Sequence, residues 1–169
     1  MESIKNIVFL GMMGSGKSSI GFLVSKRLRL DFYDIDDCIE KDLGMKISQI
    51  FKEKGEVFFR KIEEKTTLKI LKKNNVIISL GGGAFLNNNI KKIILKNHLS
   101  FWLKWNSETL IERIKNSKKR PLAVGITELD LLNLIKKRSN VYSKAQYKIN
   151  CNGLSKLEIV KKIIDIYEN

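Results

Sequence analysis

A three-layer α/β fold, in which a parallel sheet is covered by helices on both faces, is what this sequence predicts, and two observations predict it. Short apolar runs alternate along the chain with segments of helical period, as a succession of β-α units requires. Those runs are apolar at nearly every position instead of every second one, which is how a strand reads when both of its faces are buried.

The elements follow in chain order. Residues 4–10 read as a buried strand, and residues 16–30 as a helix with Ile20, Leu23, Val24 and Leu28 on one face. A short strand at residues 32–33 leads into helical segments over 38–43, 47–52 and 56–73. Residues 76–80 are strand-like and run into Gly81, Gly82 and Gly83, after which a helix starts near Asn87. Residues 99–103 form a fourth strand and 107–115 a helix. The polar stretch KNSKKRPLAVGIT precedes a helix over 128–142. Residues 147–151 are the last strand, and Leu157, Val160, Ile164 and Tyr167 stripe a closing helix.

With 43% apolar and 30% charged residues in 169, the chain has the make-up of one globular domain, residues 1–169. No linker, low-complexity tract or repeat marks a boundary. No apolar run is long enough for a membrane span or a secretory signal, so a cytoplasmic protein without membrane contact is expected. Cys38 and Cys151 lie far apart, without paired-ligand spacing, and read as packing thiols. The net charge of +14 invites a nucleic-acid reading. Yet 26 of the 32 basic residues are lysine, spread over helix surfaces such as Lys69, Lys72, Lys91, Lys92, Lys161 and Lys162. Solvated helix faces account for them, and no nucleic-acid partner is expected.

Between the first strand and the first helix stands FLGMMGSGKSS, with Gly11, Gly14 and Gly16 within six positions. Glycine loses the most freedom on folding, so that density calls for a turn or a ligand. Gly11, Gly16, Lys17 and Ser18 satisfy G-x-x-x-x-G-K-[ST] in the strand-loop-helix setting that the motif's mechanics require. Backbone N–H groups of Gly14, Ser15, Gly16, Lys17, Ser18 and Ser19 can then converge on phosphate oxygens, with the positive end of the helix dipole behind them. Lys17 adds a point charge near the β- and γ-phosphates, and the Ser18 hydroxyl suits Mg²⁺. ATP or GTP binding is expected.

DFYDIDDCIEKDLG follows the first helix. If the strand runs through them, Asp34 and Asp36 project to one side, facing the loop, where one suits Mg²⁺ and the other a substrate hydroxyl. A helix N-cap followed by first-turn acids fits the same residues, and both readings stay open at this point.

Taken in order, GMMGSGKS, FYDIDDCIE, GEVFFRKIEE, SLGGGAF, KKRPL and KKRSNVYSKAQY resemble the shikimate kinases, in the nucleoside-monophosphate-kinase-like branch of P-loop proteins. The resemblance covers residues 4–151 without a large insertion. It implies a five-stranded parallel sheet, a mobile lid at about residues 116–127, and transfer of the γ-phosphoryl group of MgATP to the 3-hydroxyl of shikimate. Asp34 matches the aspartate that holds a magnesium-bound water, and Asp36 the one that bonds the shikimate hydroxyls and acts as general base. Arg60 and Arg138 match the pair that grips the shikimate carboxylate, and Gly81, Gly82 and Gly83 the glycine turn of that pocket. Arg120 matches the lid arginine over the phosphates, and Arg113 the arginine that packs on the adenine. Ser79 ends the third strand where many nucleotide-binding loops are paired with an acid, which leaves the magnesium role to Asp34. The expected partners are ATP and shikimate, with the chain acting as a monomer.

The residue types support this independently. Arginine is the residue for forked recognition of carboxylate and phosphate, and in a chain so biased to lysine four of the six arginines fall on these positions. Arg138 lies seven, four and three residues after Leu131, Leu134 and Ile135, on the inward stripe of its helix. Arg60 precedes Glu63 and Glu64 at helical spacing, which also fits a surface ion pair. Phe51 and Phe59 belong to core or to pocket wall. The competing readings are a P-loop kinase of another small acceptor, a nucleoside monophosphate or a sugar acid, and a non-catalytic nucleotide-dependent module that binds nucleic acid.

Overall fold

Ile7 and Phe9 turn to one side of the first strand and Val8 and Leu10 to the other, and all four are fully buried. This double burial is what the unbroken apolar run encodes. The computed structural model describes residues 5–117 and 125–169. Five strands, β1 (Ile7–Leu10), β2 (Asp31–Asp34), β3 (Val76–Ser79), β4 (Leu99–Lys104) and β5 (Tyr147–Asn150), form one sheet in the order β2-β3-β1-β4-β5. Every neighbouring pair is parallel.

The helices are α1 (Lys17–Leu28), α2 (Ile35–Leu43), α3 (Ile47–Leu71), α4 (Asn88–Asn97), α5 (Ser107–Lys115), α6 (Glu128–Tyr142) and α7 (Lys156–Glu168). From β1 the chain crosses over β3 to reach β2, and from then on each strand is added in the opposite direction. Right-handed crossovers therefore put α1 on one face, where α7 joins it over Ile7, Phe9, Ile77 and Phe101. The opposite face carries α2 to α6 over Val8, Leu10, Ile78 and Trp102. The crevice at such a reversal opens beyond the carboxyl ends of the strands, and the loops after β1, β2, β3 and β4 all lie on that edge.

Boundaries differ from the sequence reading in two places, for physical reasons. The first strand begins at Ile7, because Asn6 is spent on the α3–β3 connection: its side chain donates to Lys73 O at 2.7 Å and accepts from Val76 N at 3.1 Å. The second strand spans Asp31–Asp34, one residue beyond the 32–33 reading at each end, and α2 starts at Ile35 instead of residue 38, because the Asp34 carboxylate accepts from Asp36 N and Asp37 N and caps the helix. Helix α3 is one run broken at Gly55, whose φ of 82° and ψ of 170° separate the two segments the sequence suggested. Among the described residues no helix is long and apolar enough to cross a membrane.

Candidate active site

The glycines of the first loop answer to backbone geometry. Gly11, Gly14 and Gly16 have φ of 146°, 81° and 88°, values that favour glycine, and a Cβ on Gly11 would lie 3.0 Å from Leu103 O. Lys17 folds back over the loop, its Nζ donating to Gly11 O and Met12 O at 2.9 Å each. Ser18 Oγ donates to Asp34 Oδ2 across the head of the crevice. The other oxygen of Asp34 serves the α2 cap, so one carboxylate joins the phosphate loop to the second strand.

Beside this pair opens a cavity of about 780 Å³, lined by the loop, by Asp34 and Asp36, by Arg60, Glu63 and Arg138, and by Gly81, Gly82 and Gly83. Asp36 does not extend a strand. It sits in the first turn of α2, and the helical turn, not strand alternation, aims it at the pocket. Its Oδ1 is buried without a hydrogen-bond partner. Burial, and next the charges of Asp34 and Glu63, push its pKa up to about 7, against the opposing pull of Lys17.

The three glycines after β3 are explained by space, since none of them has a positive φ. A Cβ on Gly81 would run into Glu63 Oε1 and lie 3.2 Å from Asp36 Oδ1. On Gly82 it would lie 3.3 Å from Arg138 Nη1, and on Gly83 it would fall on the Arg60 guanidinium. Each glycine thus clears room for a different charged side chain. Tyr142, one turn after Arg138, fixes the middle of this turn by donating to Gly82 O.

Arg60 pairs with Glu63 at 2.6 Å and with Glu56 at 3.4 Å. The first pair is no surface ion pair: the Glu63 side chain is only 3% exposed, and burial raises its pKa although Arg60 and Arg138 oppose the shift. Glu64 instead accepts from Asn89 Nδ2. Arg138 is 7% exposed, with Nη1 on Met12 Sδ at 3.9 Å and Nε buried without a hydrogen-bond partner. Buried guanidinium of this kind favours an anionic ligand. Phe51 and Phe59, rings 4.6 Å apart, both line the cavity and close its apolar side.

Of the residues singled out in the sequence, Gly14, Gly16, Lys17, Ser18, Ser19, Asp34, Asp36, Arg60, Arg138 and the three glycines share this cavity. Ser15 and Arg113 stand on the outer side of the loop, where Arg113 Nη1 donates to Gly14 O at 3.2 Å. Arg120 and most of the expected lid lie outside the described residues. Sequence reasoning passed over Glu63, which its i+3 spacing from Arg60 flagged only as an ion pair. It also passed over Tyr142 and Trp105, for which no local signal existed.

The family model described as shikimate kinase matches residues 13–168. A shikimate kinase of Thermodesulfovibrio yellowstonii is 42% identical over 166 residues, which is 98% of this chain and 96% of that one. The structure is similar to a shikimate kinase from Acinetobacter baumannii in complex with shikimate, with a TM-score of 0.90 at 28% identity over 98% of this chain and 93% of that one. It is also similar to the shikimate kinase of Aquifex aeolicus, with a TM-score of 0.86 at 36% identity over 96% of both chains.

Proposed function

The chain belongs to the shikimate kinase family, and from that membership we propose how its own residues carry out the ATP-dependent phosphorylation of shikimate. The γ-phosphoryl group passes to the 3-hydroxyl. Gly14, Gly16, Lys17, Ser18 and Ser19 hold the polyphosphate, Ser15, whose N–H donates to Met12 O at 3.1 Å, shapes the loop from its outer side, and Arg113 takes the nucleobase. Arg60 and Arg138 grip the carboxylate, with Gly81, Gly82 and Gly83 as the near wall. Asp36 accepts the proton of the attacking hydroxyl. Arg120 is assigned to the phosphates on the KKRPL motif alone.

The observation that carries the acceptor half is the triple glycine: three consecutive positions without side chains admit Asp36 with Glu63, then Arg138, then Arg60, to one pocket wall. Two guanidinium groups and a carboxylate base around one cavity suit a small ligand bearing both a carboxylate and hydroxyls.

Phosphoryl transfer through a loose transition state needs in-line placement and charge around the γ-phosphoryl oxygens more than covalent help. Lys17 provides one such charge from within the loop. Glu63 neutralises Arg60 in part and holds its fork at the pocket wall. The oxygen pair of Ser18 and Asp34 fits a magnesium ion, which prefers hard oxygen ligands: Ser18 would hold it directly and Asp34 through water. Among the described residues no group of three or more His, Cys, Asp or Glu could hold a metal ion. Bound with ATP, a magnesium ion would offset the charge of the phosphates.

The test is Arg138→Lys, which keeps the charge and breaks the fork. Shikimate affinity should fall roughly 10- to 150-fold, the worth of a charge-assisted hydrogen bond, while ATP affinity holds. A shikimate analogue without the carboxylate should bind the native chain poorly and be indifferent to the substitution. If shikimate and the analogue weaken equally, Arg138 braces its helix and does not hold substrate.

A further inference from the structure

Trp105 follows β4 directly, half-buried, and is joined to the outer wall of the phosphate loop by one direct contact and by a second route through Arg113. Its indole Nε1 donates to Ser15 O at 2.9 Å. Its ring carries the Arg113 guanidinium, whose Cζ lies 3.9 Å from the ring centroid. Arg113 Nη1 in turn donates to Gly14 O at 3.2 Å. An indole and a guanidinium, stacked on each other, therefore hold two consecutive carbonyls of the loop.

A planar trans peptide points its N–H away from its C=O. Drawing the Ser15 carbonyl toward Trp105, which does not line the cavity, turns the N–H of Gly16, which does, toward the pocket. The stack also acts on Arg113. An exposed arginine loses rotamer freedom when a planar ligand settles on it, and here the indole has already removed that freedom. One face of the guanidinium is covered and the other is left for a base.

We propose that Trp105 is a positioning residue of the nucleotide site, holding the Gly16 N–H toward the polyphosphate through Ser15 and presenting Arg113 as a fixed platform, so that indole, guanidinium and nucleobase form three layers. This rests on the nucleotide reading of the loop.

The test compares ATP with inorganic tripolyphosphate, which lacks the base, by calorimetry on the full chain. Trp105→Phe keeps a ring under Arg113 and loses the indole N–H. Both ligands should then weaken by a similar factor, roughly 3- to 10-fold for one hydrogen bond, while the KM for shikimate stays put. Trp105→Leu removes the platform as well and should cost ATP a further several-fold that tripolyphosphate does not share. The chain has two tryptophans, and the other, Trp102, is buried in the core. ATP should therefore change the indole emission of the native chain, and that change should vanish in Trp105→Phe.

Trp105→Phe binding ATP as the native chain does overturns the proposal alone. So does a loss of shikimate affinity equal to that of ATP, since a merely structural tryptophan would produce it. A native chain that binds neither ATP nor tripolyphosphate overturns the nucleotide reading, and the proposal with it.

Discussion

The base role proposed for Asp36 ties catalysis and stability to the same proton. Its carboxyl is raised from 3.8 to about 7, first by burial and then by Asp34 and Glu63. A base poised there retains an ionised fraction near neutral pH and enough proton affinity to accept from a hydroxyl. We expect kcat/KM to fall about tenfold per pH unit below about pH 7. Asp36→Asn should lose about 10²- to 10⁴-fold in turnover and leave ATP affinity unchanged. Stability has the opposite pH sense to the activity. The uncharged carboxyl is the form the fold favours, so its contribution is complete below pH 3.8 and is lost as pH rises through about 7. Asparagine cannot ionise, and the variant should melt above the native chain at about pH 8 and level with it at about pH 4. A native chain that melts higher than the variant at the alkaline end would mean a stabilising carboxylate and a low pKa.

At the scale of the element, glycines of two kinds separate function from stability. Gly83 has an ordinary φ, and a methyl group there would displace only the end of the Arg60 side chain. Gly83→Ala should raise the KM for shikimate roughly tenfold or more while melting and ATP affinity change little, because the arm moves and the turn does not. Gly44 and Gly55 behave the other way, since a Cβ on either would meet nothing within 4 Å. Gly44 closes α2 with φ of 62° and ψ of 22°, the left-handed conformation, so alanine should cost about 1 to 2 kcal/mol. Gly55, at φ 82° and ψ 170°, lies in a region that is essentially glycine-only, and alanine should cost up to about 3 kcal/mol. Denaturant unfolding of the two variants checks the order, and equal losses would mean that α3 adapts at its break.

Across the whole molecule the excess of positive charge opposes the fold. Lys61, Lys65, Lys69 and Lys72 follow one another at four-, four- and three-residue spacing on the exposed side of α3 and its end. Like charges at such spacing each cost a few tenths of a kcal/mol, and a net +14 adds a diffuse repulsion. Salt screens both, so the melting temperature should rise by a few degrees between about 20 mM and 300 mM NaCl. The same screening should raise the KM of both anionic substrates. Melting that falls with salt would mean that surface pairs such as Lys161–Asp165, at 3.2 Å, outweigh the repulsion.

Local pattern alone determined much of this protein. Runs such as residues 7–10 and 76–79 announce strands buried on both faces, and the glycine-lysine loop announces phosphate, because element type, buried face and loop chemistry are all encoded within a few neighbouring residues. Arg138 was legible from the inward stripe of α6 for the same reason. Other features depend on partners remote in sequence. Local pattern left Asp34 and Asp36 open between a strand and a helix cap; Ser18, 16 residues back, takes one oxygen of Asp34 while the other caps α2, and the cap is the outcome. Glu63 looked exposed until α3 docked and buried it beneath Gly81. The need for three glycines together arises only when Asp36, Glu63, Arg60 and Arg138 arrive from three helices at one turn. Trp105 joins a loop 90 residues away. Periodicity records which side of an element is buried; what lies across from it is decided by the crossovers that bring distant segments to the same edge of the sheet.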